Sequence, residues 1–323
     1  MTVMNMVEAL NDALRIAMKE DERVMILGED VGKEGGVFRV TSGLQQEFGE
    51  ERAVDTPLSE GGIFGTSIGL AIGGMIPVCE AQFSGFIYPG FDQLISHAAR
   101  MRTRSRGKYA VPLVLRSPCS GGIRALEHHS ESMEAIYAHT PGLKVVMPSG
   151  PYDAKGLLLA AIKDPDPVIF LEPKRVYRAI KEEVPQEAYE IELGKANIVN
   201  EGSDLTLVTW GAMLRDVKKA LEESEYSAEI IDLRTISPLD TQTIIDSVNK
   251  TGRLVIVQEA PRECSVSSEI AAQVVQKALT SLLAPIERVT GFDTIFPLYQ
   301  NELLYLPSKE RILKAIDKVM HFD

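Results

Sequence analysis

The feature that most constrains this chain is an alternation. Short apolar runs, each the length of a buried strand, take turns with stretches of helical spacing. Residues 23–27, 78–83, 111–116, 144–147 and 168–172 read as strands. Residues 4–19, 40–48, 91–106, 133–138 and 152–162 read as helices, and Val7, Leu10, Leu14, Ala17 and Met18 recur at helical intervals in the first of them. Strands alternating with helices signal a parallel sheet in an α/β fold. The pattern fades over residues 173–192, a charged stretch that includes Pro185. It then resumes with strands at 205–209, 228–233, 254–258 and 286–289 and helices at 213–223, 241–249, 267–279 and 309–319. The expected organisation is a first domain over 1–185, a linker over 186–200 and a second domain over 201–323.

Charge and cysteine usage exclude several classes. The net charge of −12 repels nucleic acid and anionic membranes, so neither is an expected partner, whereas basic protein surfaces are. Cys79, Cys119 and Cys264 lie far apart with no CxxC pair, which argues against a disulfide framework or a zinc site. The first twenty residues are broken by Glu8, Asn11, Asp12 and Arg15 and lack the pattern of a signal peptide, so the cytoplasm is the expected location. The uncharged stretch 61–79 holds six glycines and Pro77, a poor membrane span and a better buried helix followed by a turn. Gly65, Gly69 and Gly73 would form one smooth stripe on that helix, open to close approach by another backbone.

Ligands of open parallel sheets sit beyond the carboxyl ends of the strands, so candidate residues are sought there. Glu60 follows a Thr-Pro turn and opens the glycine-striped helix. A carboxylate among apolar groups holds a proton near neutral pH, because desolvation penalises its charge. The plainer reading is a helix N-terminal glutamate that favours the macrodipole. His128 and His129 sit on a long polar loop beside Glu127, Ser130 and Glu131, suited either to proton transfer or to a surface turn. Phe83, Phe86, Tyr88 and Phe91 form an aromatic group that would stack on a heterocycle or simply pack in the core. The basic run from Arg100 to Lys108 reads as a solvated helix end or an intersubunit contact. The chain has no GxGxxG, no GxxxxGK[ST] and no GxSxG. It also lacks a Gly-Asp-Gly that would hold Mg²⁺ and a diphosphate.

Many ordered motifs together carry a resemblance. They are Gly28-Glu29-Asp30-Val31, Asp55-Thr56-Pro57-Leu58-Ser59-Glu60, Phe91-Asp92-Gln93, Arg116-Ser117-Pro118 and His129-Ser130. Further ones are Pro141-Gly142-Leu143-Lys144-Val145-Val146, Asp153-Ala154-Lys155-Gly156-Leu157, Ile231-Asp232-Leu233-Arg234-Thr235 and Gln258-Glu259-Ala260. Over nearly its whole length the chain resembles the beta subunits of thiamine-diphosphate-dependent 2-oxo acid dehydrogenases, the decarboxylases of the pyruvate and branched-chain type. The resemblance implies a pyrimidine-binding α/β domain followed by a transketolase C-terminal-type α/β domain. It implies thiamine diphosphate shared with an alpha subunit, which holds Mg²⁺, in an alpha2beta2 heterotetramer. The missing Gly-Asp-Gly suits that division. A dihydrolipoyl acyltransferase core is the implied further partner, and a 2-oxo acid the substrate.

On this basis Glu60 is expected to hydrogen-bond the cofactor's pyrimidine nitrogen, with Phe86 and Tyr88 near the same ring. His129 is expected to assist acyl transfer to the lipoyl group, with His128 ranked second. The resemblance also implies a K⁺ or similar ion held largely by backbone carbonyls at Leu113, Ala161, Ile162, Asp164 and Asp166. Likeness around Tyr177-Arg178-Ala179 and Gly202-Ser203-Asp204 favours branched-chain substrates. The alternatives are a pyruvate or acetoin dehydrogenase beta subunit, or a subunit that mainly docks the acyltransferase core through its acidic second domain.

Overall fold

The computed structural model describes residues 1–322. Its strands are β1 (Thr2–Met4), β2 (Val24–Gly28), β3 (Ala53–Asp55), β4 (Ile76–Glu80), β5 (Val114–Cys119), β6 (Lys144–Val146) and β7 (Val168–Pro173). They continue with β8 (Glu182–Val184), β9 (Asn197–Asn200), β10 (Leu205–Thr209), β11 (Ala228–Asp232), β12 (Thr235–Ser237), β13 (Leu254–Val257) and β14 (Glu287–Val289). The helices are α1 (Met6–Glu20), α2 (Leu44–Phe48), α3 (Glu60–Ile72), α4 (Met101–Arg104), α5 (Glu134–Ala138) and α6 (Pro151–Lys163). Beyond them come α7 (Met213–Leu221), α8 (Thr241–Thr251), α9 (Val266–Ala278), α10 (Glu302–Tyr305) and α11 (Lys309–Met320).

A first sheet runs in the order β12-β6-β7-β5-β4-β2-β3 and a second in the order β14-β13-β10-β11-β9. Within the first sheet only the β12–β6 pairing is antiparallel, and within the second only β11–β9. Strands β2, β5, β7, β10, β11 and β13 are buried along their whole length, as expected where helices cover both faces. Helix α1 starts at a capping box. The Asn5 side chain accepts the Glu8 N–H at 3.1 Å, and the Glu8 carboxylate accepts the Asn5 N–H at 2.8 Å. Its apolar face packs on α6, where buried Lys155 donates to Asp12 at 2.7 Å.

The structure departs from the sequence expectations at the edges. Strand β9 lies inside the stretch expected as linker and pairs with the second sheet. Strand β12 comes from the second half of the chain yet adds to the first sheet, with Thr235 opposite Val146. Strand β8, in the fading charged stretch, pairs with β1. The helix expected over 91–106 is broken into a π-turn at Gln93–His97, a 3-10 turn at Ala98–Arg100 and the short α4. Among the described residues the glycine stripe of α3 is left open: a side chain at Gly69 would touch nothing within 4 Å, and one at Gly65 only Gln93. Among the described residues no helix is long and apolar enough to cross a membrane.

The loop after β2 leads outward to β3, while the connection after β4 leads the other way to β5. Connections that diverge from neighbouring parallel strands leave a crevice at their carboxyl ends. The segments that begin with Glu29, Glu60 and Phe83 all start at this rim.

Candidate active site

Glu60 occupies the first turn of α3, behind the N-cap Ser59, whose hydroxyl accepts the Gly62 N–H at 3.4 Å. A carboxylate there favours the helix dipole. The preceding turn is held down on both sides. The Thr56 N–H donates to the Gly28 carbonyl at 3.0 Å, and Asp55 accepts the Gly32 and Lys33 N–H groups at 2.6 and 3.0 Å. Glu29, on the facing loop, has its carboxyl pushed up by burial and by the charges of Asp30 and Glu60. The apolar shield expected around Glu60 is incomplete in this chain. Glu60 is half-buried, and nearby Leu58 and Tyr88 are 72% and 48% exposed.

A 3-10 turn at Ser84–Gly90 links Glu60 to the histidines. At one end Gly90 packs on the Phe64 ring, and a side chain there would come within 2.9 Å of the Glu60 carbonyl. At the other end Gly85 lies against the His128 carbonyl with no room for a Cβ. Four rings form a continuous cluster. His129 lies 4.2 Å from Phe83, 5.1 Å from Phe86 and 4.4 Å from His128, centroid to centroid. Phe91, grouped with these rings by sequence, packs instead on Tyr137 at 5.8 Å. The Tyr88 hydroxyl donates to Glu131 at 2.8 Å, while burial and that carboxylate push its pKa up.

Burial, followed by the charges of His128 and Lys174, lowers the His129 pKa from its ordinary 6.5. A neutral imidazole suits its apolar seat. His129 Nδ1 is buried with no partner among the described residues, as is Thr56 Oγ1 in the turn that precedes Glu60. Buried polar atoms are nearly always hydrogen-bonded, so both orphans mark where something else would sit. No hydrogen bond joins Glu60 to His129; the aromatic turn bridges them.

The expected cation residues gather near the carboxyl end of α6. The Leu113 carbonyl accepts the Val168 N–H at 2.9 Å and the Ala161 carbonyl the Asp164 N–H at 3.2 Å. Each keeps a second lone pair. Ile162 is buried beside them. The two carboxylates are already engaged: Asp164 pairs with Lys144, and Asp166 accepts from Arg102 at 2.6 Å. Among the described residues no group of three His, Cys, Asp or Glu is arranged to hold a metal ion.

Residues 2–180 match the transketolase pyrimidine-binding domain family and residues 194–312 the transketolase C-terminal domain family. The chain is 54% identical over 322 residues to the pyruvate dehydrogenase E1 component subunit beta of Acholeplasma laidlawii, covering 99% of this chain and 98% of that protein. It is 51% identical to the protein of the same name from Staphylococcus epidermidis, with full coverage of both. The chain belongs to the beta subunits of the thiamine-diphosphate-dependent 2-oxo acid dehydrogenases. A solved split-gene transketolase, described as an inactive beta4 tetramer, shares the fold with a TM-score of 0.81 at 19% identity and 98% coverage of each chain.

The beta subunit also holds residues to which the sequence assigned no role, Arg116 and Tyr177 among them although their motifs were visible. Arg116, fully buried, donates to Glu172 at 2.7 and 3.0 Å and to Glu80 at 2.8 Å. The Tyr177 hydroxyl closes this network on Glu172 at 2.5 Å. Glu134, buried under Trp210, has its carboxyl pushed up to about 7 by burial. Strand pairing sets Glu80 opposite Arg116, a juxtaposition visible only once the strand order is known.

Proposed function

We propose that this beta subunit joins an alpha subunit in an alpha2beta2 tetramer, decarboxylates pyruvate and passes the acetyl group to the lipoyl group of a dihydrolipoyl acyltransferase core. The earlier lean to branched-chain acids is given up. Relatives 50–54% identical over the full length are named for pyruvate, which favours the alternative kept open above. The observation that carries the catalytic reading is the half-built cleft. It has a carboxylate at a helix start, aromatic rings beside it, two orphaned buried polar atoms, and an exposed apolar rim awaiting a second surface.

The donor set fits the pyrimidine half of thiamine diphosphate. Glu60 would share a proton with a ring nitrogen, and Phe86 and Tyr88 would flank the ring. Mg²⁺ and the diphosphate would be held by the alpha chain, since this chain carries no Gly-Asp-Gly motif. When bound, the cofactor supplies the carbon nucleophile and the electron sink for decarboxylation. Glu60 holds the proton that keeps the ring in its reactive tautomer. The Phe83, Phe86 and His129 rings keep water from the apolar side. In its minor, protonated form His129 is a strong acid and would pass its proton to the lipoyl sulfur that leaves as the disulfide opens, the neutral ring then recharging from solvent.

A monovalent cation at the carbonyls of Leu113, Ala161 and Ile162, with Asp164 and Asp166 beside them, would tie α6 to the first sheet. Its sign is a higher Tm in KCl than in equal choline chloride, and equal values would remove it. The cytoplasm remains the proposed location.

The substrate reading is tested by co-expression with the alpha subunit and assay with pyruvate, 2-oxoisovalerate and acetoin. Pyruvate should lead in kcat/KM by roughly tenfold or more, about 1.4 kcal/mol in the barrier. A lead by either other substrate rejects the pyruvate assignment.

A further inference from the structure

Three consecutive residues at the neck of the histidine loop are each gripped through the backbone by a buried charged side chain from elsewhere. Lys174, just past β7, donates Nζ to the Ser120 carbonyl. Glu259, just past β13, accepts the Gly121 N–H at 2.5 Å. Glu302, the first residue of α10, accepts the Gly122 N–H at 2.7 Å. Lys174, Glu259 and Glu302 are only 5%, 6% and 1% exposed. The two glutamates lie 138 and 180 residues from their partners and belong to the second half of the chain. Gly122 has φ +109° and lies against the Arg175 side chain with no room for a Cβ, so only glycine fits the grip. The Ser120 N–H donates to the Glu131 carbonyl at 3.0 Å and closes the loop at its base. Between these points run His128 and His129.

Simple stabilisation accounts poorly for this arrangement. Burying a carboxylate is costly, and apolar side chains of similar volume do the same packing as well or better. Here Glu302 leaves its second oxygen, Oε2, without a hydrogen bond, and Glu259 Oε2 has only the Arg175 guanidinium at 3.8 Å. What the two carboxylates do supply is direction. Charge-assisted bonds to adjacent N–H groups fix where the loop leaves the sheet. The aromatic turn fixes its far side, through Gly85 against His128 and the Phe83 and Phe86 rings against His129.

We propose that Glu259 and Glu302 are positioning residues through which the second domain sets the histidine loop, and with it His129, for acyl transfer. This rests on the reading of His129 given above. The Gln258-Glu259-Ala260 motif thereby gains a task in the first domain's site.

The test uses the beta subunit assembled with its alpha partner, wild type and with Glu302→Ala, Glu302→Gln, Glu259→Gln or His129→Ala. Hydrogen exchange is followed in the peptide covering 120–131, and two half-reactions are timed: decarboxylation with an artificial oxidant, and acylation of a free lipoyl domain. Loss of a bond to a charged acceptor should speed exchange at Gly122 roughly tenfold to a hundredfold in Glu302→Ala. Lipoyl acylation should slow by about tenfold, with decarboxylation nearly unchanged. The glutamine variants keep an acceptor oxygen and should restore both readouts most of the way. Unchanged exchange in Glu302→Ala, or equal losses in the two half-reactions, overturns the proposal. If Glu302→Ala does not assemble, Glu302→Asp, which falls one methylene short of Gly122, is judged by the same criteria. Wild-type acylation by His129→Ala would instead break the role given to His129, while the exchange arm still reports whether the grip exists.

Discussion

Two polar clusters sit side by side at the carboxyl ends of the first sheet, and they handle buried polarity in opposite ways. Around Arg116 every prong is matched. Glu172 takes two of its hydrogen bonds, Glu80 takes a third, and Tyr177 closes on Glu172. Burial works against the guanidinium's charge, but Glu172 and Glu80 outweigh it and raise its pKa further. Burial also pushes the Glu172 carboxyl up, while the two-pronged contact with Arg116 and the Tyr177 hydroxyl pull it back down in part. Around Glu60 and His129 the matching stops short, with Thr56 Oγ1 and His129 Nδ1 left alone and Leu58 turned to solvent. A closed network resists change and carries the fold. An unfinished one is where a cofactor, a substrate or a second subunit completes the hydrogen bonds.

The comparison breaks most sharply at Glu60. Glu60→Gln in the assembled enzyme should cut decarboxylation by about a hundredfold to ten thousandfold, the range of a lost proton partner, and leave Tm nearly unmoved. Full activity would reduce the chain to a scaffold that docks the acyltransferase. Arg116→Met should do the reverse. Leaving Glu80 and Glu172 buried without their cation should cost about 3–5 kcal/mol in chemical denaturation. A loss below about 1 kcal/mol would mean that the network does not carry the fold.

The smallest effect is a pH dependence. His129 has its pKa lowered from 6.5, first by burial and then by His128 and Lys174, so on acidification the unfolded chain takes up the proton before the folded one. The stability this ring contributes is therefore whole above 6.5 and falls away as the pH drops through the folded value. The difference in stability between wild type and His129→Ala should shrink from about pH 7 to about pH 5. A difference that widens would show the imidazolium to be the favoured form.

Much of this was legible in the sequence, because strand–helix alternation is a local signal. The central strands β2, β4, β5 and β7, the helix that begins at Glu60 and the loop of His128 and His129 all follow from runs of fewer than twenty residues. Three-residue strands such as β8 and β12 leave no periodic trace, and their partners are far along the chain. The break in 91–106 was hidden as well. A π-turn shifts the hydrogen-bond register by one residue without changing the apolar spacing enough to notice. The role of Arg116 was hidden for another reason: its motif was visible, but the partners of a charge inside a buried strand show only once the neighbouring strands are aligned. The tasks of Glu259, visible only as part of a motif, and of Glu302 were hidden most deeply, since their partners are backbone amides of glycines with no side chain to betray them.

Strand β12 forms the outer edge of the first sheet, although its residues come from the other half of the polypeptide. Cutting the gene between the two halves would therefore strip β6 of its cover and bare a row of unpaired amides and carbonyls. The severed N-terminal fragment should be sticky in solution, and restoring it would require the missing three-residue ribbon as well as the linker.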